Sequence, residues 1–202
     1  MTTIAATWSP NGACLAADSG ITDGSFATLP PMKKIVQQGT WLIAAAGEDR
    51  ICDILQYTIK YPLVPPALIK RDDEHWYKWL STRVVKTIVE AAQKHLSLDI
   101  EHGVAELPDS EFILATHGRI FGISNSLGIS RLKPYWAIGS GGSIALGALN
   151  YQHRHNKNWN MAYSVIAEQA VMSAVAHDSF THMPIDSYIS TPSGKITKKH
   201  VP

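Results

Sequence analysis

Polar and apolar positions divide this chain into stretches of two periodicities. Thr2 to Trp8 alternates loosely, Ser9-Pro10-Asn11-Gly12 supplies turn chemistry, and Ala13 to Ala17 is a short apolar run, so the two segments predict a hairpin. A polar stretch, Asp18 to Thr28, leads to a strand over Lys33 to Gln37, a Gly39-Thr40 turn and the apolar run Trp41 to Ala46, which Gly47 ends. The period then changes. Ile51, Ile54, Leu55, Thr58 and Ile59 keep a 3.6-residue stripe up to Pro62, and Glu48-Asp49 places acids in a first turn, where they suit the helix dipole. Pro62 to Asp73, with Pro65-Pro66, reads as a loop. A long helix follows from about Glu74 to Leu96, with Trp76, Leu80, Val84, Thr87, Ile88 and Ala91 on one face.

Strands return at Glu111 to Thr116, Ile120 to Ser124, Ile129 to Leu132 and Tyr135 to Ile138, the last running into Gly139-Ser140-Gly141-Gly142. Helical stretches near Ser143 to His153 and Met161 to Ala176 precede a last strand near Asp186 to Ser190. The tail, Gly194 to Pro202 with Lys195, Lys198, Lys199 and His200, reads as solvated. Strands, two helices, strands, two helices and a strand predict an α+β fold, two antiparallel sheets covered by helices on their outer faces. No repeat or low-complexity tract interrupts it, and a single domain over residues 1–202 is expected.

Composition narrows the function. Hydrophobic residues make up 45% and charged residues 17%, which fits a chain with one real core rather than a disordered one. The formal net charge of +1 supplies no global field, so neither nucleic acid nor an anionic membrane is an expected partner. No segment reaches the roughly 18 consecutive apolar residues of a membrane span, and no basic stretch followed by an apolar run marks a signal peptide. Cys14 and Cys52 belong to no metal spacing. These features together lead us to expect a reduced, cytoplasmic protein.

The chemistry begins at Met1-Thr2-Thr3-Ile4. Thr2 is small enough for the initiator Met to be removed, which leaves a free α-amine beside a β-hydroxyl. Such a threonine is nucleophile and base at once, its amine (pKa about 8) taking the hydroxyl proton directly or through water. Asp18 closes the second strand, Lys33-Lys34 opens a later one, and Gly47 closes the strand after that. Each has a bland reading taken singly: adjacent lysines at a solvated strand edge, Asp18 as a turn former, Ser140 as a helix cap. Other sites fail sooner. Gly139-Ser140-Gly141-Gly142 lacks the third glycine and the following acid of a dinucleotide loop. His153, His155, His177 and His182 sit among residues that suit a solvated helix end better than a zinc site.

The ordered set Thr2-Thr3-Ile4, Asp18, Lys34 and Gly47 resembles the proteasome β subunits and, more closely, the bacterial HslV peptidase. Trp136-Ala137-Ile138-Gly139-Ser140-Gly141-Gly142 is similar to the family's apolar-Gly-Ser-Gly-Gly segment before a helix, and Asp178 and Thr181 to its Asp-x-x-Ser/Thr pair. The resemblance implies a four-layer αββα sandwich of the N-terminal nucleophile hydrolase fold and a threonine endopeptidase acting on unfolded polypeptides. It implies Thr2 as nucleophile, Lys34 beside it, Asp18 holding that lysine, and the Gly47 N–H at the oxyanion. Ser140, Asp178 and Thr181 would anchor the amine and the proton network. Lys33 competes with Lys34, and strand alternation puts the two on opposite faces. No cofactor is implied beyond a monovalent cation such as Na+ at the backbone carbonyls of Val175, Asp178 and Thr181. The implied partners are further copies in a closed homo-oligomeric ring, single or double, and an AAA+ ATPase unfoldase. The Pro62 to Asp73 and Ser97 to Asp109 stretches are longer than the resemblance leads one to expect, and Asp23 to Leu29 would help bind substrate. Two other readings remain: a non-catalytic assembly protein of the same fold with Met1 retained, and an N-terminal-threonine amidase acting on a small amide.

Overall fold

The opening hairpin pairs β1 (Thr3–Ser9) with β2 (Gly12–Asp18) in a register that sets Ile4 opposite Ala17. It forms the middle of a five-stranded antiparallel sheet. β12 (Tyr135–Gly139) lies beyond β1, and β13 (Ile185–Ser190) and then β14 (Ile196–Val201) lie beyond β2. A second antiparallel sheet runs β11 (Ile129–Arg131), β10 (Arg119–Ile123), β9 (Ser110–Thr116), β6 (Trp41–Gly47) and β5 (Ile35–Gln38). Two short hairpins, β3 (Ile21–Asp23) with β4 (Phe26–Thr28) and β7 (Asp99–Glu101) with β8 (Val104–Glu106), stand apart from both. The computed structural model describes residues 2–23, 26–28, 33–95, 99–101 and 104–202, with residues 21–23, 26–28, 99–101 and 104–105 described by backbone alone.

Strand alternation sorts the core into three layers of contact. Ile4, Ala6, Leu15 and Ala17 meet Leu42, Ala44, Ile113 and Ala115 between the sheets. The opposite parity, Ala5, Cys14 and Ala16, packs under α5 (Gly142–His155) and α6 (Trp159–His177) against Leu149, Ile166, Ala170 and Val171. On the other side Ile43, Ala45, Phe112 and Leu114 pack under the first group of helices, against Trp76, Leu80, Val84 and Ile88. The molecule is therefore a four-layer αββα sandwich. Alanines fill much of β1, β2 and β6, and their small side chains let sheets and helices approach closely. Each larger side chain in these layers contributes about 1.5–3 kcal/mol by leaving water.

Several local expectations are adjusted. The helix after Gly47 is α1 (Asp49–Asp53) running into a π-helical turn over Ile54–Thr58. The long helix is α3 (Asp73–Trp79), a π-helical stretch over Leu80–Val85, and α4 (Lys86–Lys94). The Pro62 to Asp73 stretch is not all loop: α2 (Pro66–Ile69) forms inside it, with proline in the first turn, where its missing N–H costs nothing. The Ser97 to Asp109 stretch contains the β7–β8 hairpin. The basic tail is not simply solvated, since residues 196–201 pair with β13 as an edge strand. Cys14 and Cys52 are free and buried in different layers. Among the described residues no helix is long and apolar enough to cross a membrane. Residues 24, 25 and 29 of the expected substrate segment lie outside the described residues.

Candidate active site

Five chain segments converge where β1 begins. Asp18, at the end of β2 and 1% exposed, receives five hydrogen bonds. Its Oδ1 accepts from the Thr3 N–H at 2.8 Å and from Lys34 Nζ at 2.9 Å. Its Oδ2 accepts from Lys34 Nζ at 2.8 Å, the Gly20 N–H at 3.1 Å and the His182 N–H at 3.2 Å. The ammonium of Lys34 is thus two short hydrogen bonds from the Thr2–Thr3 peptide. Lys34 is buried and Lys33 exposed, as expected for neighbours on opposite faces. Burial lowers the pKa of Lys34, while Asp18 and Asp178 pull it the other way. A buried ion pair is weak evidence for stability, because desolvation offsets most of the attraction. A buried lysine with a perturbed pKa beside the first residues of β1 is more informative about chemistry.

A second circuit runs from the Thr3 side chain back to Thr2. Thr181 Oγ1 donates to Asp178 Oδ2 at 2.5 Å, so its single proton is committed and Thr3 Oγ1, 2.6 Å away, must donate to Thr181. Ser140 Oγ lies 2.9 Å from the same Asp178 oxygen and 3.4 Å from the Thr2 carbonyl. Ser140 makes no cap to α5, whose N-cap is Gly141. Burial acts to raise the Asp178 pKa, but hydrogen bonds from Thr181, Ser140 and the Phe180 N–H, with the nearby His182, bring it below the ordinary value.

Glycines make this crowding feasible. Gly139 has φ +89°, and a Cβ there would lie 1.9 Å from the Thr2 carbonyl oxygen. The same Cβ position is 3.5 Å from the Ala46 Cβ, which brings the end of β6, Ala46 and Gly47, alongside Thr2. Gly47 has φ +131°, and its added Cβ would fall 2.1 Å from the Asp109 carbonyl oxygen. By alternation with Ile4 and Ala6, Thr2 belongs to the face of β1 that looks between the sheets.

The residues singled out in the sequence, Thr2, Asp18, Lys34, Gly47, Ser140, Asp178 and Thr181, therefore lie in one connected neighbourhood. Sequence reasoning missed Thr3 and His182. Thr3 was open to discovery, since the hairpin register puts it opposite Asp18. His182 acts through its backbone: its N–H holds Asp18 and its carbonyl accepts from Ser19 at 3.3 Å. No composition signal marks such a contact. The imagined histidine cluster does not form, and among the described residues no group of three or more metal-ligating side chains occurs. His153 packs instead against the rings of Tyr135 and Trp159.

This four-layer architecture is the fold that the resemblance to the proteasome β subunits implies. The chain is similar over nearly its whole length to the proteasome subunit beta of Nanoarchaeum equitans (strain Kin4-M), with 29% identity over 198 residues, 96% of this chain and 95% of that protein. Among solved structures it is similar to Thiobacillus denitrificans BPH, with a TM-score of 0.74 and 21% identity over 96% of this chain and 100% of that one. The same protein in complex with epoxomicin gives a TM-score of 0.72 and 20% identity, covering 94% and 98% of the two chains. No family model matches the chain. The resemblance to proteasome β subunits read from scattered motifs thus extends in sequence over nearly the whole chain, and the fold is shared with BPH.

Proposed function

We propose that the chain is a threonine endopeptidase subunit whose nucleophile is Thr2 after removal of Met1, a residue outside those described. With Met1 attached the Thr2 nitrogen is an amide and has no basic lone pair; once freed, it is an amine that can take the hydroxyl proton. Thr2 Oγ attacks the scissile carbonyl, and the amine later protonates the leaving nitrogen. Lys34, held by Asp18, favours the deprotonated states of the hydroxyl and amine through its charge. The Gly47 N–H stabilises the oxyanion, a contribution of about 3–4 kcal/mol in comparable sites. Ser140, Asp178 and Thr181 anchor the chain start and relay protons. Water then hydrolyses the acyl ester on Thr2. The reading is carried by one observation: a buried Lys34–Asp18 pair tied by hydrogen bond to the peptide that follows Thr2.

Further copies of the chain in a closed ring, single or double, would confine the reaction to an interior chamber, and an ATPase unfoldase would deliver unfolded polypeptides. Self-assembly is supported by the likeness to a proteasome β subunit. A monovalent cation suits the turn after α6. There the Asp178 carbonyl already accepts from the Thr181 N–H at 3.2 Å and keeps a second lone pair, and Val175 and Thr181 offer carbonyls nearby in sequence.

The test is intact mass before and after incubation with epoxomicin, the ligand held by the BPH relative. The expected result is a chain lacking Met1 that gains one adduct, with no adduct in Thr2→Ala. A chain that keeps Met1 and gains nothing would sink the catalytic reading in favour of an assembly protein. Turnover of small amides without any cleavage of unfolded polypeptide would favour the amidase.

A further inference from the structure

A second concentration of charge lies at Trp8, about 20 Å of extended strand from Thr2. Three cations converge there on the single carboxylate of Asp73, at the start of α3. Arg119 Nη1 donates to its Oδ1, Lys133 Nζ donates to its Oδ2 at 3.0 Å, and Arg131 Nε stands at 3.8 Å, beyond hydrogen-bonding distance. Arg131 is the anomaly. Its side chain is 7% exposed, with the guanidinium 5.5 Å from the Trp8 ring centre and 5.3 Å from that of Phe121. Its Nε and Nη1 are enclosed and have no hydrogen-bond partner among the described residues. Buried donors on a charged group cost more to leave unpaired than those on a neutral one. Burial and the neighbouring Arg119 push its pKa down to about 10 although Asp73 opposes the shift.

Arg131 and Lys133 line two cavities, one of about 370 Å³ and a larger one of about 690 Å³ that Trp8, Asp73 and Arg119 also line. In the larger cavity Lys70 and Arg119 join Arg131 and Lys133, against the carboxylates of Asp72 and Asp73. Asp72 is already committed to His75, whose Nδ1 is 2.6 Å away. Four cations against two carboxylates leave an excess of two positive charges, and low-dielectric walls such as Trp8 focus that field into the cavity. A single carboxylate ligand would balance half of it; a phosphate group, at about −1.5 to −2 near pH 7, matches it.

We propose that the larger cavity is a binding site for a phosphate dianion, free or as the terminal group of a polyphosphate. Lys133 and Arg119 reach the ligand, Arg131 supplies charge from beneath, and Asp73 is the internal anion that the phosphate displaces in part. The site is independent of the peptidase reading, since nothing in it involves Thr2.

The experiment is thermal unfolding and calorimetric titration with inorganic phosphate, against chloride at equal ionic strength. Phosphate should raise the melting temperature saturably where chloride does not. Lys133→Met, at a side chain 40% exposed, should keep the fold and weaken binding by about tenfold, the loss of one charge-assisted contact. Asp73→Asn should move the other way: a less stable fold that binds phosphate several-fold tighter, which a purely structural cluster would not do. Tripolyphosphate binding tighter than phosphate would identify the terminal group of a polyanion, and equal binding the free ion. Equal shifts with phosphate and chloride, or unchanged titration in both variants, would overturn the proposal.

Discussion

At Asp178 the hydrogen bonds from Thr181 and Ser140 outweigh the burial that would raise its pKa. A carboxyl held low in the folded state contributes stability that is present above its unfolded pKa and lost as pH falls through the folded one. Its acceptor role toward Thr181 and Ser140 therefore survives to pH values below the ordinary carboxylate range. Ser140→Ala removes one stabilising donor, so the folded pKa rises and the acid limb of epoxomicin labelling should move to higher pH. Thr181→Val should shift it in the same sense, and the double variant further. An acid limb that stays in place in both single variants would remove Asp178 from the reacting network. Legibility at this scale depended on residue type. Alternation set Lys33 and Lys34 on opposite faces and the resemblance chose Lys34 between them, and Ser140 and Thr181 stood in recognisable segments. Thr3 was legible only through the hairpin register and His182 not at all, because what they contribute to Asp18 is a backbone N–H that almost any residue supplies.

The C-terminal edge strand shows the same limit for whole elements. In β14, Lys199 pairs with Glu168, whose side chain on α6 is 7% exposed and also accepts from Ser187 Oγ at 2.6 Å. Lys198 and His200 pair with the more open Asp186, at 2.8 Å and 2.9 Å. Lys199→Ala leaves Glu168 buried without its cation and should cost about 1–3 kcal/mol in urea unfolding. Lys198→Ala, at a partly exposed pair, should cost under about 1 kcal/mol. Equal losses would mean that Glu168 finds another partner. The tail reads as solvated in the sequence because its acids, Asp186 and Glu168, lie far back in the chain and only Ile196 and Val201 are apolar. The two long helical stretches were legible through their stripes. Their π-helical turns were not, since Ile54 and Leu55, or Leu80 and Val84, serve the core equally well in either winding.

For the whole molecule the open matter is what covers α6. Its inward side, Ile166, Ala167, Ala170, Val171 and Ala174, is fully committed to the sheet. Its outward side is apolar too: Met161 is 79% exposed, Val165 46% and Met172 47%. These three fall at i, i+4 and i+11, one stripe along the helix. A helix apolar on both sides suits burial on both, and a subunit standing alone would leave this stripe in water. Copies closing into the proposed ring would cover such a stripe. Val165→Glu places a charge at its centre while touching no core contact, so the subunit's own stability should change by no more than about 0.5 kcal/mol. Native mass spectrometry should then show a closed oligomer for the parent chain and a shift toward smaller species in the variant, because a carboxylate desolvated without a partner is costly at an interface. Identical assembly in both would place the subunit contacts elsewhere, with the exposed Trp136 on the edge strand β12 as the next position to charge. A parent chain that is monomeric at all concentrations would remove the chamber from the proposed mechanism and leave Thr2 open to any peptide in solution.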